Sequence, residues 1–168
     1  MTIVSGFINL SLDLKNAKAT TYSTSAELFK PIFYSITNGT TAGKIDLLYS
    51  ATRTLTASAS EDLDLSGELV DTLGQTCVFA DVRMICVVAS SANTNNVLVG
   101  GAASNQFINW VGNSSDIVVV KPGGILFLYT PTDPGYAVTA GTGDLLKIAN
   151  SGAGTGVTFD IYIGGTSA

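Results

Sequence analysis

The chain has 168 residues, of which 46% are hydrophobic and only 12% charged, so it is long enough for one domain with a sizeable core. Its formal net charge is −5, its eight Lys and Arg residues form no run, and it contains no histidine. This composition argues against contact with nucleic acid or an anionic membrane, which needs basic density. It also excludes Ser-His-Asp and Cys-His catalysis and disfavours a zinc site.

The N-terminal segment alternates between apolar and polar residues. Ile8, Leu10, Leu12 and Leu14 fall on one face of an extended chain, which predicts a half-buried strand. The following residues, 15–25, are polar and predict a loop.

Residues 26–37 are again apolar but contain Pro31, which lacks the N–H that a central strand needs. We therefore predict an edge strand or two short pieces, followed by a turn at Asn38-Gly39. The chain divides on this basis into an N-terminal segment, 1–43, and a β-domain, 44–168. The favoured interpretation of 1–43 is an edge strand of the domain's own sheet, and the alternative is an arm that adds a strand to a neighbouring subunit.

The middle of the chain predicts further strands. Residues 44–57 and 61–65 alternate, residues 66–74 predict one helical turn or a loop, and residues 76–89 predict one long strand. Asp81 and Arg83 share a face of that strand, where an exposed cross-strand ion pair would contribute little.

The two cysteines, Cys77 and Cys86, fall on opposite faces of the same predicted strand. A disulfide between them is therefore not expected, and a pair of cysteines in a chain of this length does not make a disulfide scaffold. We predict reduced, buried thiols.

Residues 116–130 contain two apolar runs separated by Lys121-Pro122-Gly123-Gly124. Proline and glycine suit the two central positions of a turn, and both runs are apolar on both faces. This pattern predicts a β-hairpin in the middle of a sheet or sandwich. Other short strands are predicted in the C-terminal half, over 97–99, 107–111, 136–139, 144–150 and 157–163.

About ten short strands at this spacing predict an all-β fold, an antiparallel β-sandwich of jelly-roll type. An immunoglobulin-like sandwich is the alternative, although the sequence lacks its Cys…Trp…Cys spacing. The start of the chain has no basic segment or cleavage site of a signal peptide, and no apolar run reaches the ~20 residues of a membrane span. We expect a soluble protein made in a cytoplasm.

The only acidic cluster consists of Glu61, Asp62, Asp64, Glu68 and Asp71. Paired carboxylates can serve a glycosidase, and oxygen ligands can bind Ca²⁺, but the spacing matches no EF-hand loop. A solvated strand face is the favoured interpretation. The Gly-rich pieces at 141–143 and 152–156 predict turns, because they lack the context of a phosphate-binding loop. We predict no catalytic residue, no cofactor and no metal, and hence no enzyme.

Aromatic side chains offer a second candidate site. A sugar-binding platform is conceivable from five of them, although such residues more often anchor a core or an interface. They are Phe107, Trp110, Tyr129, Tyr136 and Tyr162.

From Thr52 to the C-terminus the chain contains the strings TRTLTASASEDLDLSG, NTNNVLVGGAASNQFINWVG, VKPGGILFLYTP and GYAVTAGTGDLLKIANSGAGTGVTFDIYIGGTSA. These resemble small virion-associated proteins of tailed bacteriophages. The resemblance implies a virion structural protein and carries over no functional residues.

Within the virion, the expectation is a capsid decoration (cement) protein, made in the host cytoplasm and located on the capsid surface. It would act as a homotrimer that binds the major capsid protein and stabilises contacts between capsomers. The alternative is a tail or head-fibre component that recognises host-surface glycans. The candidate partner contacts are Leu10, Leu12, Phe29, Pro31, Trp110 and Tyr136.

Overall fold

The computed structural model describes residues 4–18, 24–67 and 69–168, and in these residues the chain consists of strands and turns. The predicted all-β class is therefore confirmed. Every pairing between strands is antiparallel. The thirteen strands are β1 Gly6–Lys18, β2 Thr24–Ile36, β3 Leu47–Leu55, β4 Ser60–Asp64, β5 Leu69–Val70, β6 Thr76–Cys77, β7 Asp81–Ala89, β8 Val97–Gly100, β9 Ile117–Val120, β10 Ile125–Tyr129, β11 Tyr136–Ala137, β12 Leu145–Asn150 and β13 Val157–Thr166.

Two sheets enclose the main hydrophobic core. One sheet has the order β10-β7-β13-β3, with β11 also paired to β7, and the other has the order β4-β12-β8-β9. Alternate residues of each sheet point inward, such as Ile85 and Phe159 from the first and Leu146 and Ile148 from the second, and all belong to one buried cluster. Two sheets that share one core form a β-sandwich.

The order of pairing follows one rule. Eight strands of the sandwich have four or more residues: β3, β4, β7, β8, β9, β10, β12 and β13. Along the chain, the first pairs with the last, the second with the seventh, the third with the sixth and the fourth with the fifth. The first four of these strands therefore pair with the last four as one long two-stranded ribbon, and the chain turns back between β8 and β9. The β13–β7 and β12–β8 pairings roll the ribbon into the two sheets.

The predicted central hairpin at 116–130 is wrong in its pairing. β9 pairs with β8 at the edge of one sheet, and β10 pairs with β7 at the edge of the other. The turn itself is present, because the Gly124 N–H donates to the Lys121 carbonyl at 2.7 Å and Gly123 has a φ of 73°. It carries the chain from one sheet to the other, so the local turn signal was correct and the assumed partner was not.

Three other predicted elements differ from the structure. The strand predicted at 76–89 is interrupted after Cys77 and resumes at Asp81, so β6 and β7 belong to different sheets. Residues 107–111 form turns, with Trp110 Nε1 donating to the Phe107 carbonyl at 3.0 Å. In the described part of 66–74 there is a short strand and a turn, and no helical turn.

The N-terminal segment stands apart from the sandwich sheets. β1 and β2 pair with each other from Gly6↔Ile36 to Lys18↔Thr24, and among the described residues they pair with no sandwich strand. The favoured prediction of an edge strand in the domain's own sheet is therefore wrong. The predicted loop at 15–25 is shorter than expected, since β1 runs to Lys18 and β2 starts at Thr24, and its middle, 19–23, lies outside the described residues. We call β1 and β2 together the arm.

Candidate interaction surface

The register of the arm sorts its side chains onto two faces. Directly opposite residues of an antiparallel pair share a face, so the pairs Ile8↔Tyr34, Leu10↔Ile32 and Leu14↔Leu28 lie on one side. This side, the leucine face, consists of Ile8, Leu10, Leu12, Leu14, Leu28, Lys30, Ile32 and Tyr34. The other side, the phenylalanine face, carries Phe7, Phe29, Pro31 and Phe33 among polar residues.

The root of the arm packs on the sandwich. Val4, Ile36 and Ile45 form a small second core, against which Ile8, Met84 and Tyr129 pack. The rings of Tyr34 and Tyr129 lie 4.8 Å apart at 51°. The leucine face thus starts on the outer surface of the five-stranded sheet. A cleft of about 280 Å³ opens further along, between Leu10 and Ile32 of the arm and Phe127 of β10.

Beyond its root the arm is exposed on both faces. Seven of its large apolar residues are between 45% and 73% accessible: Phe7, Leu10, Leu12, Leu14, Leu28, Phe29 and Phe33. At roughly 150–250 Å² for a large apolar side chain, these fractions expose on the order of 600–1,000 Å². The largest apolar patch of a typical monomer is ~300–600 Å². The prediction that the leucine positions are half-buried is therefore wrong for Leu10, Leu12 and Leu14.

The length of the arm makes this exposure costly. Each strand has 13 residues, so at ~3.3 Å per residue the arm extends about 40 Å. A two-stranded ribbon without a covering layer is marginally stable in water. The arm therefore has the properties of a surface that another layer covers.

A second apolar surface lies on the outer side of the five-stranded sheet, next to the arm. Tyr162 pairs with Cys86, and Cys86 pairs with Phe127, so these three form one row across the sheet. Leu48 and Ile125, at other points of the same surface, are also exposed. We call this surface the outer sheet face.

A buried arginine fixes the root of the arm. Arg83 is 0% accessible, and its guanidinium donates to Asp81 Oδ1 at 3.1 Å and to Asp133 Oδ1 at 3.1 Å. It also donates to the carbonyl oxygens of Thr40, Thr41 and Lys44, at 2.8, 2.5 and 2.9 Å, in the segment that connects the arm to β3. The Asp81–Arg83 ion pair, predicted to contribute little, is thus buried, and Arg83 holds the connection between arm and sandwich.

The sequence-predicted contact residues fall into two groups. Leu10 and Leu12 lie on the leucine face, and Phe29 and Pro31 on the phenylalanine face. Trp110 and Tyr136 are half-buried against the sandwich core. Sequence reasoning missed Phe7, Leu28 and Phe33, although consecutive apolar residues at 28–29 and 32–34 indicated a strand that is apolar on both faces. It also missed the burial of Arg83, which a single cation in a largely apolar strand could have indicated.

The five aromatic residues considered for a sugar platform occupy different environments. Phe107 is buried in the core, and Trp110 and Tyr136 pack against that core. Tyr129 lies at the arm root, and Tyr162 on the outer sheet face. They do not form a common platform.

Residues of the acidic cluster form ion pairs and hydrogen bonds with groups close to them in sequence. Glu61 forms an ion pair with Arg53 at 2.9 Å, Asp64 Oδ1 accepts from the Ser66 N–H at 2.7 Å, and Asp71 Oδ1 accepts from the N–H groups of Leu73 and Gln75 at 2.8 Å. Glu68 lies outside the described residues. Within the described residues, no three acidic, cysteine or histidine side chains are grouped so that they could hold a metal ion.

Both thiols are free. Cys77 is buried and Cys86 half-buried, and burial raises the pKa of each thiol above its usual value. This agrees with the prediction of unpaired cysteines.

Over the described ranges, the structure has no helix of the length and apolar character that crossing a membrane requires. Comparison with models of known protein families, with curated proteins and with solved structures found no match.

Proposed function

We propose that this chain is a structural protein of a phage virion, and specifically a capsid decoration protein that binds the outer shell. The observation that carries the proposal is the arm, which presents apolar residues on both faces and projects from a closed sandwich. Such a surface suits assembly, because exposed apolar area of this size is typical of sites that bind another protein or a membrane. The bacteriophage part of the proposal rests on the sequence resemblance alone.

We also infer that the sandwich is a jelly roll. In that fold eight strands form a doubled ribbon that is rolled into two sheets, and the pairing of first with last, second with seventh, third with sixth and fourth with fifth is the pairing that such rolling produces. Jelly rolls are common in viral capsid domains, which is a likeness of fold and not of function.

The described polar groups support a structural role. Arg83, Asp81 and Asp133 bind one another and the backbone, and Asp64 and Asp71 accept hydrogen bonds from backbone N–H groups nearby. These side chains hold turns and connections in place. A decoration protein needs no reacting group, since it stabilises the shell by binding the assembled form in preference to the separated subunits.

The test is the position of the protein in an intact particle, determined by electron cryomicroscopy. Density for the sandwich on the outer shell, at threefold or quasi-threefold positions between capsomers, would support the proposal. Density confined to the tail would overturn it and favour a tail component that recognises host glycans. A particle that contains no copy of the chain would overturn both.

A further inference from the structure

Resting on this proposed function, we propose that the partner of the arm is a second copy of the chain: the leucine face of one arm packs on the outer sheet face of the next subunit. The contact joins two different surfaces of the same protein. Repetition of such a contact closes a ring if the rotation between subunits permits. A ring of three would be the homotrimer that the sequence resemblance implies.

The exposed area of the leucine face indicates a weak contact. Its four leucines are 45–56% accessible and expose roughly 300–500 Å² at roughly 150–250 Å² per side chain, less than the ~800 Å² that a stable interface buries on each side. The outer sheet face offers the matching apolar surface in Leu48, Ile125, Phe127 and Tyr162, all exposed. Because one chain carries both uncovered surfaces, two copies can cover what one copy leaves exposed.

The charges of the two surfaces are complementary. Lys30, opposite Leu12, is the one charged residue of the leucine face within 8–14 and 28–34. Asp160 of β13 faces outward between Thr52 of β3 and Val88 of β7. It is the one charged residue among the outward positions of β3, β7, β10 and β13. A cation on one surface and an anion on the other fix the orientation of a contact more than its affinity.

The experiment measures the mass of the purified full chain by sedimentation equilibrium, without any capsid. The wild-type protein is expected to be an oligomer that dissociates on dilution. Leu12→Asp places a charge in the leucine face, and it should raise the dissociation constant at least about tenfold, as loss of a central apolar contact does. The matched control is Val119→Asp on β9, in the other sheet, which is 52% accessible where Leu12 is 45% accessible, and it should leave the mass unchanged.

A charge exchange tests the orientation. Lys30→Asp and Asp160→Lys should each weaken association, and the double variant should restore it. Recovery in the double variant requires the two residues to meet, which general loss of folding cannot imitate. If Leu12→Asp fails to fold, the charge exchange still tests whether Lys30 of one copy meets Asp160 of another.

The thiol of Cys86 provides a separate readout, because it lies between Tyr162 and Phe127 under the proposed contact. Alkylation at mildly alkaline pH should be slow in the oligomer and several-fold faster in the dissociated Leu12→Asp variant. Cys77, which is buried in the core, should stay unreactive in both and serves as the internal control.

Four results would overturn the inference. They are a wild-type monomer at all concentrations, an oligomer that tolerates Leu12→Asp, failure of the double charge variant to recover, and a monomer that binds neutral phosphatidylcholine vesicles through the arm. A monomer that still decorates the capsid would overturn this inference while leaving the proposed function intact. An oligomer that is absent from the capsid would do the reverse.

Discussion

The arm and the sandwich use the same sequence pattern with opposite results. Leu10, Leu12 and Leu14 in β1 alternate with polar residues, as Leu146 and Ile148 do in β12. The side chains of β12 are buried between two sheets, whereas those of β1 are exposed, because β1 has one paired strand and no sheet above its outer part. Alternation thus specifies which residues share a face, and the number of layers decides whether that face is buried.

The sandwich and the arm also differ in the interactions that stabilise them. Sandwich strands bury apolar area within the chain, and each Å² buried stabilises the fold by ~25 cal/mol. The outer arm leaves its large apolar side chains in water, so burial within the chain contributes little to its stability. Changes in the sandwich should therefore alter the folding of a single chain, and changes in the outer arm should alter association.

The largest effect is expected for Arg83→Met. Removing this cation leaves the buried Asp81 carboxylate without its partner and releases three backbone carbonyls of the connecting segment. The free energy of unfolding, measured by urea titration, should fall by about 3–5 kcal/mol. The double variant Asp81→Asn, Arg83→Met should recover part of that loss. Loss below about 1 kcal/mol would mean that Arg83 does not hold the two regions together.

A smaller effect is expected from one added methyl group in each region. At Gly165, in β13, a Cβ atom would meet the Asp81 carbonyl oxygen, so Gly165→Ala should destabilise the protein by about 1–3 kcal/mol. At Gly6, in the arm, a Cβ atom would meet nothing within 4 Å, and Gly6→Ala should change stability by less than about 1 kcal/mol. Thermal unfolding compares the two. Equal losses would contradict the difference in packing between the regions.

Alkaline pH should weaken both the sandwich core and the arm root. Burial raises the pKa of Cys77, Cys86, Tyr49 and Tyr129 above their values of 9.0 for the thiols and 10.0 for the phenols. The unfolded chain loses these protons first, so the contribution of these four groups to the free energy of unfolding should be lost as pH rises above about 9.

Urea titrations across this pH range check the alkaline effect. Cys77→Ala combined with Cys86→Ala should remove the part that begins near pH 9 and leave the part that begins near pH 10. Stability that increases over this range would show that burial of these groups has been misjudged.

The smallest effect is expected at the far end of the arm. Lys15 Nζ lies 3.0 Å from Glu27 Oε1, but the two side chains are 59% and 63% exposed. Lys15→Ala should therefore change the free energy of unfolding by less than about 0.5 kcal/mol, and salt should remove even that. A loss comparable to that of Arg83→Met would mean that the arm end is covered within a single chain.

Much of the local structure was predictable from the chain alone. The strands predicted at 44–57, 144–150 and 157–163 correspond to β3, β12 and β13, and the Pro-Gly turn at Lys121–Gly124 was correctly placed. The partners of β9 and β10 were not predictable, because each apolar run suits many neighbours and the turn signal does not say whether the chain stays in one sheet. The burial of Arg83 was not predictable for a similar reason, since its carbonyl partners lie about forty residues away in sequence.

By itself, the sequence determined the all-β class, the positions of most strands, the absence of histidine chemistry and the two faces of the arm. These follow from residue type and from the two-residue period of an extended chain. Only the tertiary structure decided that β1 and β2 pair with each other, that the Asp81–Arg83 pair is buried and that the leucine face is uncovered. Pairing and burial depend on contacts between residues far apart in sequence, and a local pattern does not contain that information.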